Sequence, residues 1–149
     1  MATTDKYINP FTDFGFKKIF GTELNKDLLV DFLNEVVLPA SHRIADLTYK
    51  KNDQLGATQF DRKAIFDIHC TGENGAKFIV EMQKAKQNYF KDRMVFYATF
   101  PIQEQAQTGE WDYKLSEVFM VGVLDFTFTD DENNPKKQKK SAPRCAIKR

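Results

Sequence analysis

Apolar and polar residues alternate in two neighbouring runs of the chain. In Phe66-Asp67-Ile68-His69-Cys70 and Phe78-Ile79-Val80-Glu81-Met82-Gln83, the even positions Phe66, Ile68, Cys70, Phe78, Val80 and Met82 are all apolar. A period of two predicts strands with the even positions turned to a core. The odd positions then share the opposite face, which carries Ile65, Asp67, His69, Lys77, Ile79, Glu81 and Gln83. Between the runs stands Glu73-Asn74-Gly75. As a three-residue hairpin loop with Gly75 in the left-handed position, it pairs Gly72 with Ala76 and sets Asp67 opposite Glu81. A two-residue Asn-Gly loop would set Asp67 against Met82 and send one apolar set to the wrong face, so the odd loop is expected.

The rest of the chain supplies helices and further strands. Asn9-Pro10 and Thr12-Asp13 precede Phe14, Phe16, Lys17, Lys18, Ile19 and Phe20, which predicts a short capped helix closed by Gly21. Leu28, Leu29, Phe32, Leu33, Val36 and Val37 recur at helical spacing, giving an amphipathic helix from about 24 to 37 that ends before Pro39. Asp31 and Glu35 lie off its apolar stripe and read as a solvated face. Strands are expected from about 43 to 50 and 58 to 70, parted by Asn52-Asp53-Gln54-Leu55-Gly56, with a return strand from about 76 to 83. Phe90, Met94, Tyr97 and Pro101 mark one side of a helix from about 87 to 107 with a kink at the proline. The nearly continuous apolar run Glu117 to Phe126 predicts an interior strand covered on both faces.

This order makes one α+β domain over residues 1–130. From Asp130 the chain becomes polar and basic without periodicity, so residues 131–149 are expected to form a disordered basic tail. Internal repeats, Gly-rich phosphate loops and zinc-ligand spacings are all missing from the sequence.

Composition changes the picture in three respects. Fourteen Phe residues among 149 predict an aromatic-rich core. With only two cysteines, Cys70 and Cys145, neither a disulfide framework nor a cysteine zinc site is supported. The sequence shows no hydrophobic signal region and no apolar stretch of membrane-spanning length, so a cytoplasmic chain without a membrane partner is expected. The formal charge of +1 conceals an asymmetry: residues 1–132 hold 15 basic and 21 acidic side chains, a net −6, and the remainder is purely basic. The body is therefore not a generic polycation that would grip DNA through phosphate neutralisation alone.

The candidate chemistry lies on the odd face of the hairpin. Two carboxylates directly opposed across a strand pair repel, and a divalent cation would offset that repulsion. Mg²⁺ is usually held by one or two protein carboxylates. The alternative is that one carboxylate points to solvent or pairs with Lys63, Lys77 or Lys84.

The order of helices, three strands, helix and strand, with Asp67 on the second strand and Glu81-x-Gln83 on the third, resembles the restriction-endonuclease-like PD-(D/E)XK superfamily. More narrowly it resembles the PD-(D/E)XK nuclease family transposases, the Rpn-like recombination-promoting nucleases of bacteria. The resemblance is carried by Asp13-Phe14-Gly15-Phe16-Lys17-Lys18-Ile19-Phe20-Gly21, by the two alternating runs, and by Phe90, Arg93, Tyr97 and Tyr113 through to Phe126, covering about residues 7 to 130. It implies a restriction-endonuclease-like core, with a central mixed sheet containing an antiparallel β-meander flanked by helices. It further implies a transposase- or recombination-associated endonuclease that hydrolyses DNA phosphodiester bonds. Asp67 and Glu81 would hold Mg²⁺, with Mn²⁺ able to substitute, and Gln83 would take the third catalytic place.

Gln83 departs from the lysine usual in that superfamily. An amide can orient a water but carries no positive charge and accepts no proton as a base. Lys86 and Arg93, from the following helix, are the candidates for the missing cation and for phosphate contacts. His69 shares the site face as a candidate proton acceptor or a spectator. The chain also ends sooner than such proteins usually do, which reads as a truncation or an out-of-frame tail, against the competing reading of a basic arm for DNA phosphates. Gln83 and the short C-terminus keep an alternative open: a weak or inactive nuclease-fold module that binds nucleic acid or a protein partner. Double-strand cutting by a single-site nuclease needs two active sites, which makes a homodimer the arrangement expected for that outcome.

Overall fold

Thr12 decides where the first helix starts. Its hydroxyl accepts the Gly15 N–H at 3.0 Å, satisfying one of the amides that a helix start leaves unpaired. The structure, a computed structural model, describes residues 7–51, 53–54, 64–107 and 109–128. The helix, α1, spans Asp13–Phe20 and closes at Gly21, as expected. A Cβ at Gly15 would collide with the Asn9 carbonyl, so only glycine lets the preceding turn lie on the helix.

The second predicted helix is one rod with three geometries. A 3₁₀ turn at Glu23–Asn25 leads into α2, Lys26–Phe32, which continues as a π turn over Leu33–Val37. The π turn ends where the Leu38 N–H reaches the Leu33 carbonyl at 2.9 Å. It also exposes Glu35, which pairs with Arg43 at 2.8 Å.

The strand expected from 43 to 50 shortens to β1, Leu47–Tyr49. Side chains occupy the preceding backbone instead. Buried Asn34 accepts the Ile44 N–H and donates to the Ile44 carbonyl, and the Glu73 carboxylate accepts the amides of Ala45 and Asp46 at 2.7 and 3.0 Å. The strand expected from 58 to 70 is broken in two. A two-residue β2, Asp53–Gln54, pairs antiparallel with β3, Ala64–Ile65. The chain bends at Asp67 and resumes as β4, Ile68–Gly72. Residues 58–63, and the expected tail 131–149, lie outside the described residues.

The hairpin return is β5, Lys77–Gln83. Its register with β4 runs from Thr71 opposite Lys77 to Ile68 opposite Val80. The Gly72 N–H meets the Ala76 carbonyl at 2.8 Å and Gly75 takes φ +85°, so the odd-length loop is the one formed. After α3, Phe90–Gln103, the strand β6, Val118–Leu124, lies parallel to β5. The four-stranded sheet has the order β1-β4-β5-β6, antiparallel except for the last pair. The result is a mixed-sheet α+β fold.

Helices cover both sheet faces. On one, Ile68, Cys70, Phe78 and Val80 join Phe119, Val121, Phe16 of α1, Leu29 of α2 and Leu33 of the π turn in a buried cluster. Phe78 and Phe119 stack there, ring centroids 5.1 Å apart. On the other, Ile79 and Met120 pack against Phe90 and Met94 of α3. The odd face is thus a second core where it passes under α3, rather than a polar surface. Phe66 also changes sides: expected with the even set, it joins the α3 cluster, because the bend at Asp67 interrupts the alternation. The α3 helix is shorter than expected at both ends. Tyr89 precedes it in the left-handed region, φ +58°, and it stops two residues after buried Pro101. Among the described residues no helix is long and apolar enough to cross a membrane.

Candidate active site

At the bend, side chains continue the hairpin where its backbone ladder stops. Asp67 is the residue facing Glu81 if the β4–β5 register is carried one pair further. Its own N–H donates to Glu81 Oε1 at 3.2 Å, and its Oδ2 accepts the Met82 N–H at 2.8 Å. The two carboxylates are thereby locked to each other's strands. Glu81 is only 6% exposed. Burial first, and the neighbouring Asp67 charge second, push its pKa up to about 7.

A cation reaches this pair from an unexpected direction. Lys17 Nζ, on α1, lies 3.4 Å from Asp67 Oδ1 and 2.6 Å from Asp13. Those acids, Asp13 foremost, hold the lysine's pKa above its usual value. Of the lysines expected as partners, Lys63 lies outside the described residues, and Lys84 is exposed beyond the end of β5. Sequence reasoning did not assign Lys17 a site role. The Asp13-x-x-x-Lys17 spacing puts both on one helical face, but nothing in α1 itself links that face to the remote hairpin.

Gln83 and Arg93 are brought together. Arg93 Nη2 donates to Gln83 Oε1 at 2.8 Å, and Gln83 Nε2 donates to the Ala85 carbonyl at 2.9 Å. The other guanidinium arm donates to Gln87 at 2.6 Å, and the guanidinium lies over the rings of Phe90 and Tyr97, 5.3 and 5.8 Å from their centroids. Arg93 thus stands beside the third motif position, anchored at both arms. Its charge, felt at Glu81, counters part of the burial effect there.

The two remaining candidates point elsewhere. His69 is fully buried with its ring edge-on to Phe66, Nδ1 3.3 Å from the Lys51 carbonyl and Nε2 3.9 Å from Glu104. Burial lowers its pKa despite the pull of Glu104, so the ring is held neutral under α3. Lys86 is exposed and borders a separate cleft at the start of α3.

Asp67 and Glu81 offer hard oxygen donors at a desolvated spot where two like charges meet, and this donor chemistry fits a hard divalent cation. Among the described residues no group of three or more His, Cys, Asp or Glu forms a metal cluster. A carboxylate pair nevertheless suffices for an ion that keeps waters and substrate oxygens in its shell.

Searches of curated proteins and of solved structures returned no significant match. Residues 10–141, however, match the sequence profile of the PD-(D/E)XK nuclease family transposases. That span takes in α1, the carboxylate-bearing hairpin, α3 and β6, so the chain belongs to the PD-(D/E)XK nuclease family transposases.

Proposed function

We propose that this chain is a Mg²⁺-dependent endonuclease that hydrolyses DNA phosphodiester bonds, with Asp67 and Glu81 as the metal ligands. The observation that supports it most is the burial of Glu81 beside Asp67, with a pKa raised to about 7. A carboxylate held at such a cost is characteristic of a functional position. When bound, the ion would activate a water for attack on phosphorus and offset charge on the phosphoryl oxygens.

The chain's own groups would divide the remaining work. Backbone amides of Asp67 and Met82 keep the two carboxylates oriented. Gln83 holds Arg93 rather than replacing the family's lysine by itself. Its oxygen accepts from the guanidinium and its nitrogen is tied to Ala85, so Gln83 is a positioning residue and Arg93 supplies the positive charge. That charge stabilises the phosphoryl oxygens as a new P–O bond forms and the bond to the leaving sugar oxygen breaks.

Cleavage of supercoiled plasmid by the purified chain, with Mg²⁺, Mn²⁺ or EDTA, tests the reading. Cutting is expected with either metal and not with EDTA. Asp67→Ala and Glu81→Ala are expected to lower it by at least about 100-fold while thermal melting shows both folded. A folded wild-type chain that cuts no faster than these variants would leave only a nuclease-fold binding module.

A further inference from the structure

The connection from β5 to α3 builds a cleft that the carboxylate pair does not use. It has a volume of about 320 Å³, and its border includes Lys86, Gln87, Tyr89, Phe90, Lys91 and Phe128, with one acid, Asp92, against the two lysines. Phe90 is buried and forms its wall, its ring 6.1 Å from that of Phe128. Lys91 Nζ lies 4.7 Å above the Phe128 ring. Tyr89 is 80% exposed and takes φ +58°, a conformation unusual for a residue with a side chain. An exposed aromatic held in a sparsely populated backbone state beside a cleft marks a constrained position.

The cleft is joined to the candidate active site through one side chain. Gln87, on the cleft border, accepts from one arm of Arg93, and Gln83, at the third motif position, accepts from the other. The Phe90 ring lies near both the Arg93 guanidinium and Phe128. Gln83, Arg93 and Gln87 thus form a hydrogen-bonded chain between the third motif position and the cleft border.

We propose that this cleft is a subsite for one unstacked nucleotide flanking the scissile phosphate, its base stacked on Tyr89 and its phosphate met by Lys86 and Lys91. The inference rests on the proposed nuclease function and names its substrate class: DNA with a single-stranded stretch beside the cut. The volume lies at the small end of the roughly 300–1,000 Å³ range of ligand pockets, enough for a single planar group but not for a duplex. Bases within a duplex keep their faces stacked, whereas single-stranded binding combines aromatic platforms with a basic track. The cleft border supplies both.

The test measures binding rather than cutting. Fluorescence anisotropy in EDTA compares a blunt duplex with the same duplex carrying a three-nucleotide single-stranded end, using the full chain with Asp67→Ala. The single-stranded end is expected to bind about tenfold tighter. Tyr89→Asn, which keeps a residue tolerant of the left-handed region but removes the ring, is expected to abolish that preference, and Tyr89→Phe to retain it. Lys91→Gln is expected to weaken both DNAs and to reduce the salt slope by about one. Equal affinity for the two DNAs, or a preference that survives Tyr89→Asn, overturns the subsite. A chain that fails to cut plasmid but shows the Tyr89-dependent preference overturns the nuclease reading alone.

Discussion

The two faces of the β4–β5 hairpin are built from alternating residues of the same strands, yet they differ in kind. One face presents Ile68, Cys70, Phe78 and Val80, each at most 1% exposed and packed among apolar residues from α1, α2 and β6. The other presents Ile79, equally buried, but next to it along the strand stands Glu81, and across from Ile79 stands His69. Burying charge is costly unless it is paired, and the raised pKa of Glu81 registers that cost. The contrast teaches that the dry face supplies the stability that allows the other to hold an unfavourable carboxylate in place. A second such charge on the dry face would consume a large part of the roughly 5–15 kcal/mol by which domains are stable.

The largest expected effect comes from breaking the dry face. Phe78 is fully buried and stacked on Phe119, so Phe78→Ala leaves a cavity costing about 3–5 kcal/mol. Urea denaturation should show the midpoint falling sharply, with DNA cutting lost alongside the fold and metal unable to restore it. A midpoint close to wild type would mean that this face is not the anchor.

The charged face should respond with the opposite sign. Glu81→Gln keeps an acceptor for the Asp67 N–H and removes both the buried charge and its repulsion with Asp67. The folded pKa of Glu81 is about 7 against an ordinary 4.5. Below 4.5 the group is protonated in both states and costs nothing. Between 4.5 and 7 the unfolded chain releases a proton that the folded chain retains, so stability falls as pH rises, and the loss levels off above 7. At pH 8 in EDTA, Glu81→Gln should therefore be more stable than wild type by about 2–3 kcal/mol, with a flatter stability–pH curve over that window. Scanning calorimetry reads both, and Mg²⁺ should raise the wild-type melting temperature while leaving the variant's nearly unchanged. A variant that melts earlier than wild type at pH 8 would show that Glu81 is paired rather than penalised.

Much of this contrast could be read along the chain, because it follows from local periodicity. The alternation at 66–70 and 78–83, together with Gly75, suffices for the hairpin and its register, and Thr12 and Gly21 mark both ends of α1. Less legible was anything decided by a side chain reaching a distant backbone. Asn34 and Glu73 take over residues 44 to 46 and shorten β1, and the exchange between Asp67 and Met82 bends the strand so that Phe66 crosses to the α3 side. The candidate site divides in the same way. Asp67, Glu81 and Gln83 stand out by strand position, and Arg93 by its place early in the next helix. The approach of Lys17 from α1 depends on how a helix packs on the sheet, which no local pattern encodes.

Lys17 gives the smallest effect and the finest test of the contrast between the faces. Its helix contributes Phe16 to the dry core, while its own ammonium lies 3.4 Å from Asp67 on the charged side, so it links the two. Lys17 is 38% exposed, and partly solvated ion pairs contribute little, so Lys17→Gln should change stability by less than about 1 kcal/mol. Its effect on metal binding should be more visible. In the metal-free protein the ammonium balances part of the carboxylate charge, and a divalent cation arriving at the same oxygens must bind against that positive charge. Removing it should tighten Mg²⁺ binding by about threefold at low ionic strength, with the gain fading as salt is added. Isothermal titration calorimetry on the two proteins at two salt concentrations measures this. Weaker Mg²⁺ binding by Lys17→Gln would assign the lysine the opposite part: it would hold Asp67 in the orientation the ion requires, and the dry face would then reach into the site through α1 rather than merely support it.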